Sequence, residues 1–362
     1  MHWLCIAMVL VLGLTIQSAN ASLCCIDELV VFGDSLSDTG NVLTRTRGVY
    51  PDGGLLGGNY DPGRFTDGPT TIPATKRPYT GVWHEQLARM LGIPVATPSE
   101  LFDGTRGTNW SFGGAITGDG TQVIRGVTID NMGKQVRDFL GSSGPSVPTN
   151  ALYALWGGGN DVLDAAAAAG ATAASIMAAE QQALGNITTE IKLLADSGGT
   201  DFLWPDLPPL DKIPLAKNFA PALKAALATA SSDFRGDEAS AIQGLKAFFP
   251  EIKVVDLDTY GLFNFVVGPP SEFFSNTTDP AQGNRDLNPD NYLFWDKVHP
   301  TTAAHALLAN FALAALQNAG VVPCPEPPSW PIAVFEGVAI LLLNRAPLRR
   351  KSSGRPRHLR PV

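Results

Sequence analysis

Apolar residues along this chain gather in short bursts separated by longer stretches of helical periodicity. Four bursts have the length and flanking turn residues of buried strands: LVVF at 29–32, ALYALW at 151–156, DFLW at 201–204 and IKVVDL at 252–257. Between them, EQLARML at 85–91 repeats its apolar positions at helical spacing. Residues 163–195 are alanine-rich, with Ile176, Met177, Leu184, Ile187, Ile191 and Leu194 recurring every three or four positions. Segments 220–231, 237–249 and 301–317 follow the same rule. Strands that alternate with helices imply a parallel sheet covered on both faces. No internal repeat is present. Residues 47–74, rich in Gly, Pro, Asp and Thr, read as a long loop of the kind that borders a site.

The polar residues sit at informative places. LVVF runs into GDSLSDTGN, ALYALW into GGGND, and DFLW into PDLPP. In an open parallel sheet the carboxyl ends of the strands share one edge, and ligands bind in the crevice there. Three strands delivering small and polar groups to that edge mark a site.

A hydroxyl in GDSLSDTGN becomes a useful nucleophile only if a base takes its proton, and the usual base is a histidine oriented by a carboxylate. The chain has five histidines. His2 and His358 lie near the termini. His84 opens a helical segment in HEQLA, which lacks the second histidine of a zinc motif. His305 falls inside the helix after 301, where a packed imidazole is expected. His299 remains, held out of regular helix by Pro300, with Thr301 or Thr302 free to cap the helix that follows. Asp296 stands three residues before it, so one loop can present both carboxylate and imidazole. Acyl transfer also needs donors for an oxyanion. The backbone N–H of Ser35, the side-chain amide of Asn160 in GGGND, and a backbone N–H of the pair Gly113-Gly114 in TNWSFGGA are candidates.

Taken together, GDSLS at 33–37, NWSFGGA, GGND at 158–161 and DKVH at 296–299 occur in the order of the four blocks of the GDSL esterases/lipases, the SGNH hydrolases. GRFTDG at 63–68, DLPPLDKIP at 206–214 and NPDNYLFWDKVHPTTAAH at 288–305 look like the same family, so the resemblance spans about residues 28–318. It implies a three-layer α/β/α sandwich with a central parallel sheet, and an acyl-enzyme mechanism without metal or cofactor. Ser35 would be the nucleophile, His299 the general base and then acid, and Asp296 its orienting carboxylate. Ser35 N–H, Gly114 N–H and the Asn160 side chain would form the oxyanion hole. Gly114 matches the family block by standing fifth after Asn109, with Gly113 as the alternative.

Composition narrows the partners. The net charge of −8 hides a basic end: from residue 323 onward there are seven Lys and Arg against two Glu, and residues 1–322 carry a net −13. So acidic a surface repels nucleic acid and says little about small neutral substrates; that these are small-molecule, lipid or carbohydrate esters is what the family resemblance implies. WLCIAMVLVLGLTI at 3–16, followed by Ala19-Asn20-Ala21, reads as a signal peptide over 1–21. The mature chain then retains Cys24, Cys25 and Cys324, too few for a disulfide framework. The hydrolase domain is expected over 22–322. Residues 323–362 hold a proline-rich break, a short apolar segment and a basic end. That order resembles the bacterial PEP-CTERM sorting signal, with Pro325-Glu326-Pro327 as its tripeptide and Arg349, Arg350 and Lys351 as its basic stop. It implies an exported bacterial protein, secreted or held at the cell surface or in extracellular matrix, with transient membrane attachment through residues 331–343.

Two readings compete with ester hydrolysis. One is a surface-associated binding protein that keeps the fold, and the other is a metal ion gathered by Asp34, Asp38 and Asp161 for phosphoester hydrolysis. Within the family, carbohydrate deacetylation and acyl transfer to an alcohol are further alternatives.

Overall fold

A computed structural model describes residues 26–51, 59–68, 80–101, 104, 106–268, 271–283 and 288–322. The expected signal peptide, the sorting tail, Cys24, Cys25 and Cys324 lie outside the described residues. Among the described residues, no helix is long and apolar enough to cross a membrane.

In chain order the elements are β1 (Glu28–Gly33), α1 (Asn41–Arg45), α2 (Trp83–Leu91), β2 (Thr121–Ile124), β3 (Val127–Asp130), α3 (Met132–Ser143), β4 (Ala151–Trp156), α4 (Gly159–Ala167) and α5 (Ala173–Asp196). They continue with β5 (Asp201–Pro205), α6 (Pro221–Phe248), β6 (Lys253–Leu257), α7 (Thr259–Val267), β7 (Asn276–Pro280), β8 (Tyr292–Phe294) and α8 (Thr302–Asn318). The four bursts of apolar sequence are the four strands of one parallel sheet, ordered β1-β4-β5-β6. Strand β4 is buried at every position, as is β5. That explains why their sequences are continuously apolar and not alternating: both faces are covered by helices. The helices α3, α4, α5 and α6 pack together in one layer, and α2 packs against α8 in the other. The chain therefore forms the expected α/β/α sandwich. Each large side chain enclosed between the layers, such as Phe32, Leu155 or Leu203, contributes roughly 1.5–3 kcal/mol by leaving water.

Three features differ from the sequence expectation. The stretch 163–195 is two helices. Gly170 takes a left-handed φ of 77°, and Thr172 caps α5 by accepting the Ser175 N–H. Segments 220–231 and 237–249 are one helix of 28 residues, α6, because the intervening Ser, Asp and Gly residues stay helical under burial of Phe234 and Glu238. Residues 108–112, polar in part, form a further parallel pairing with β1. Val31 N–H donates to Thr108 O at 2.9 Å, Trp110 N–H to Val31 O at 2.7 Å, and Phe112 N–H to Gly33 O at 3.1 Å. This pairing brings Gly113 and Gly114 beside the end of β1.

Candidate active site

The site is assembled where β1 ends. Gly33 has φ 156°, and a Cβ there would lie 2.3 Å from the carbonyl oxygen of Trp156 on the adjacent strand, so only glycine lets β1 and β4 close this tightly. The next turn is held by Asp34: its carbonyl accepts the Ser37 and Asp38 N–H groups, and its Oδ1 accepts Leu36 N–H at 2.9 Å. The many small polar residues after the strand have separate structural duties. Asp38 is fully buried and accepts N–H groups from Gly40, Asn41, Val42 and, across the site, Gly113. Asn41 donates to the carbonyls of Asn109 and Ser111. Asn109 in turn donates to Ser37 O at 2.8 Å. Ser35 is left with its hydroxyl unclaimed by the turn.

That hydroxyl meets His299. Ser35 Oγ lies 2.8 Å from His299 Nε2, and His299 Nδ1 lies 2.6 Å from Asp296 Oδ2. An imidazole whose Nδ1 proton is given to a carboxylate presents Nε2 as an acceptor, the tautomer a base needs. The loop carrying both residues is rigid for local reasons. Asp296 Oδ1 accepts the N–H groups of Val298 and His299, each at 2.7 Å, and Trp295 N–H donates to His299 O. Thr301 caps α8 by accepting Ala304 N–H, so helix begins just past Pro300.

Burial works to raise the Asp296 pKa. The His299 charge, the bonds to His299 and the Tyr60 hydroxyl outweigh it and hold the carboxyl at about 2. Burial likewise works to lower the His299 pKa, yet the Asp296 carboxylate overcomes it and keeps the imidazole above its ordinary value, with help from the charge of Asp34.

Tyr60 was not picked out by sequence reasoning. Its hydroxyl donates to Asp296 Oδ2 at 2.6 Å, and it comes from the 47–74 loop expected to border a site. Contacts to the start of α8 fix that loop. Thr66 Oγ1 donates to Pro300 O, while Asp67 accepts the Thr302 N–H at 2.7 Å and the Thr302 hydroxyl at 2.6 Å. Phe65 packs on the imidazole of His299 with ring centroids 5.2 Å apart. The only hint in the sequence was an aromatic pair inside a polar, glycine-rich stretch.

The expected oxyanion donors come from three other segments of the chain. Gly113 N–H is occupied by Asp38 Oδ2 at 2.9 Å, whereas the N–H groups of Ser35 and Gly114 donate to no other described residue. Gly114 has a left-handed φ of 84°, and its carbonyl is held by the Gln122 side chain at 2.7 Å. Asn160 stands in the first turn of α4. One of its amide protons goes to Ala115 O at 2.8 Å, and its side chain borders the same cleft as Ser35. Asp161 beside it accepts the N–H and hydroxyl of Thr117, which fixes the loop that follows Gly114.

The other central histidines are structural. His84 is buried and donates from Nε2 to Ser37 O at 2.8 Å, and His305 Nδ1 accepts Trp83 N–H at 3.2 Å. The three carboxylates weighed for a metal do not gather. Asp38 is spent on backbone N–H groups and Asp161 on Thr117. Among the described residues, the acidic groups that converge are Asp206, Glu238 and Asp256, elsewhere in the fold.

A sequence model of the family described as GDSL-like Lipase/Acylhydrolase matches residues 29–312. The chain is 25% identical over 325 residues to the thermolabile hemolysin of Vibrio parahaemolyticus, covering 81% of this chain and 64% of the hemolysin's length. It is 24% identical over 363 residues to the phosphatidylcholine-sterol acyltransferase of Aeromonas hydrophila, covering 84% of this chain and 94% of that one. Among solved structures, the aryl esterase of M. smegmatis aligns with a TM-score of 0.41 at 13% identity, over 81% of this chain and 99% of the esterase.

Proposed function

This chain belongs to the GDSL-like lipase/acylhydrolase family, and we propose that it hydrolyses carboxylic esters through an acyl intermediate on Ser35. The observation that carries this reading is the relay from Ser35 Oγ to His299 Nε2 at 2.8 Å and from His299 Nδ1 to Asp296 at 2.6 Å.

In that reaction Ser35 Oγ attacks the ester carbonyl as its proton passes to His299 Nε2. The carbonyl electron pair moves onto oxygen and is met by the N–H groups of Ser35 and Gly114 and the free amide proton of Asn160. One such donor lowers the barrier by roughly 3–4 kcal/mol. Collapse of the intermediate expels the alcohol oxygen, which takes the proton back from Nε2. Water then repeats the sequence on the acyl-enzyme, with His299 again as base, and releases the acid. Asp296 keeps its charge throughout and stabilises the imidazolium.

The amino-terminal apolar run, the small residues before Ser22 and the basic tail support export, with action outside the cell or at its surface. A second reading is acyl transfer to an alcohol in place of water, favoured by the likeness to the Aeromonas hydrophila acyltransferase.

The test compares wild type with Ser35→Ala on p-nitrophenyl acetate and butyrate and with a fluorophosphonate probe. Wild type turns over ester and takes the label, and the variant does neither. Equal turnover by both proteins removes the proposal, and a folded wild type that takes no label favours the binding-protein alternative.

A further inference from the structure

The cleft that opens from Ser35 is walled almost entirely by hydrocarbon. Its empty space amounts to about 700 Å³ including the mouth. Its wall is built from the residue after the serine, Leu36; from Leu207, Leu210 and Ile213 in the chain beyond β5; and from Phe263 and Val267 of α7. The helix α7 follows β6, the strand farthest from β1 in the sheet order. The wall therefore draws on elements from one side of the sheet to the other, along the edge where the strands end.

Resting on the reading of Ser35 as nucleophile, we infer that this cleft holds the acyl chain of the substrate, and that the enzyme selects extended aliphatic acyl groups over acetyl. The assignment to the acyl portion, and not to the alcohol, follows from the positions of the catalytic groups. A carbonyl attacked by Ser35 turns its oxygen toward Asn160 and its leaving oxygen toward His299 Nε2, which must protonate it. Ser35 and Asn160 stand in the wall of the cleft; of the histidine's own loop, Val298 and Pro300 close it on one side, while His299 itself is not among the lining residues. The substituent that enters the cleft is therefore the one opposite the leaving group. Polar side chains in the wall are confined to Asp34, Ser35, Asn160 and Lys212, and Lys212 bonds Asn264 outside it. Two of the other three have their own tasks at the head of the cleft, so nothing along its length matches the hydroxyls of a sugar. An acetyl group would leave this apolar surface in contact with water, and a longer chain would cover it. Each methylene so buried strengthens binding about fourfold.

The experiment measures kcat/KM of the full chain on p-nitrophenyl acetate, butyrate, octanoate and laurate. A rise of at least about tenfold from acetate to octanoate is expected. Val267, half-buried at the end of α7, is the position to fill: Val267→Trp should lower the octanoate-to-acetate ratio at least about tenfold. Phe263→Ala, which opens the same region, should raise the laurate-to-octanoate ratio. A flat or falling profile in wild type overturns the inference without any variant. So does a Val267→Trp protein that is folded and keeps the wild-type ratio. These failures differ from failure of the hydrolase reading, which appears as Ser35→Ala turning over acetate as fast as wild type.

Discussion

Tyr60 Oη and His299 Nδ1 approach the same oxygen of Asp296, each at 2.6 Å, from segments of chain 236 and three positions away. The carboxylate is thus shared between a neutral donor and the group whose charge it must stabilise. Removing either member of this arrangement moves the histidine in a definite direction.

For a base that works as neutral imidazole, activity rises with pH through the His299 pKa, which lies above the ordinary 6.5. Asp296→Asn removes the charge that outweighs burial, so the acid limb of the kcat/KM profile should shift to lower pH, with kcat reduced by about four orders of magnitude. Tyr60→Phe removes a donor and leaves the carboxylate more basic. The acid limb should then shift to higher pH, with a rate loss within about tenfold. Limbs that move the same way in both variants would contradict the shared-carboxylate arrangement.

Asn160→Ala should lower kcat by on the order of 10²–10³ with little change in KM, since the amide is needed when charge develops on oxygen. Its other proton holds Ala115 O, so a modest drop in Tm should accompany the loss. A drop in Tm with kcat intact would limit Asn160 to a structural part.

Gly33→Ala tests the closure of β1 on β4. The new methyl would sit 2.3 Å from a strand carbonyl that cannot swing aside. A loss of about 3 kcal/mol is expected in urea unfolding. A variant as stable as wild type would show that the strands can part there at no cost.

His305 gives a pH signature in stability. Burial depresses its pKa to about 3. Between that value and the ordinary 6.5, the unfolded chain binds a proton that the folded chain refuses, so stability falls as pH falls, by about 1.4 kcal/mol per pH unit. Buried His84, also depressed, acts in the same sense. His299 is raised, and its contribution is already complete below pH 6.5. Urea titrations at successive pH values below 6.5 should therefore give a shallower decline for His305→Asn than for wild type. Equal slopes would mean that His305 is protonated in the folded protein.

Those parts of the fold with a local cause were legible in sequence. A strand buried on both faces reads as an apolar run, and three of the four bursts are such strands; β6, at the edge of the sheet, leaves Lys253 and Asp256 half-buried. His299 could be placed on a loop because Pro300 forbids helix before it. Helix α3 was missed because its apolar residues are few, and the hairpin β2–β3 because its two strands are only four residues each, with β2 largely exposed. The pairing of residues 108–112 with β1 runs through backbone groups, which carry no side-chain pattern to read. Tyr60 is the sharpest omission: its meaning depends on a carboxylate far along the chain, and its only local mark is to be one of the aromatics in a polar, glycine-rich stretch. The roles of Asp38 and Asn41 were likewise hidden. The cluster after β1 was visible, but its division into one free hydroxyl and several backbone anchors appears only in three dimensions.

Asp38 ties the turn that presents Ser35 directly to Gly113, 75 positions later. Together with the Asn41 and Asn109 side chains and the pairing of residues 108–112 with β1, this carboxylate registers the nucleophile to the neighbouring amide donors directly, and not through the long chain that connects them. Changes of length or side chain within that intervening stretch leave the two in register, so long as these anchors persist. The reacting geometry is insulated from such change, which lets one chemical apparatus serve many different mouths.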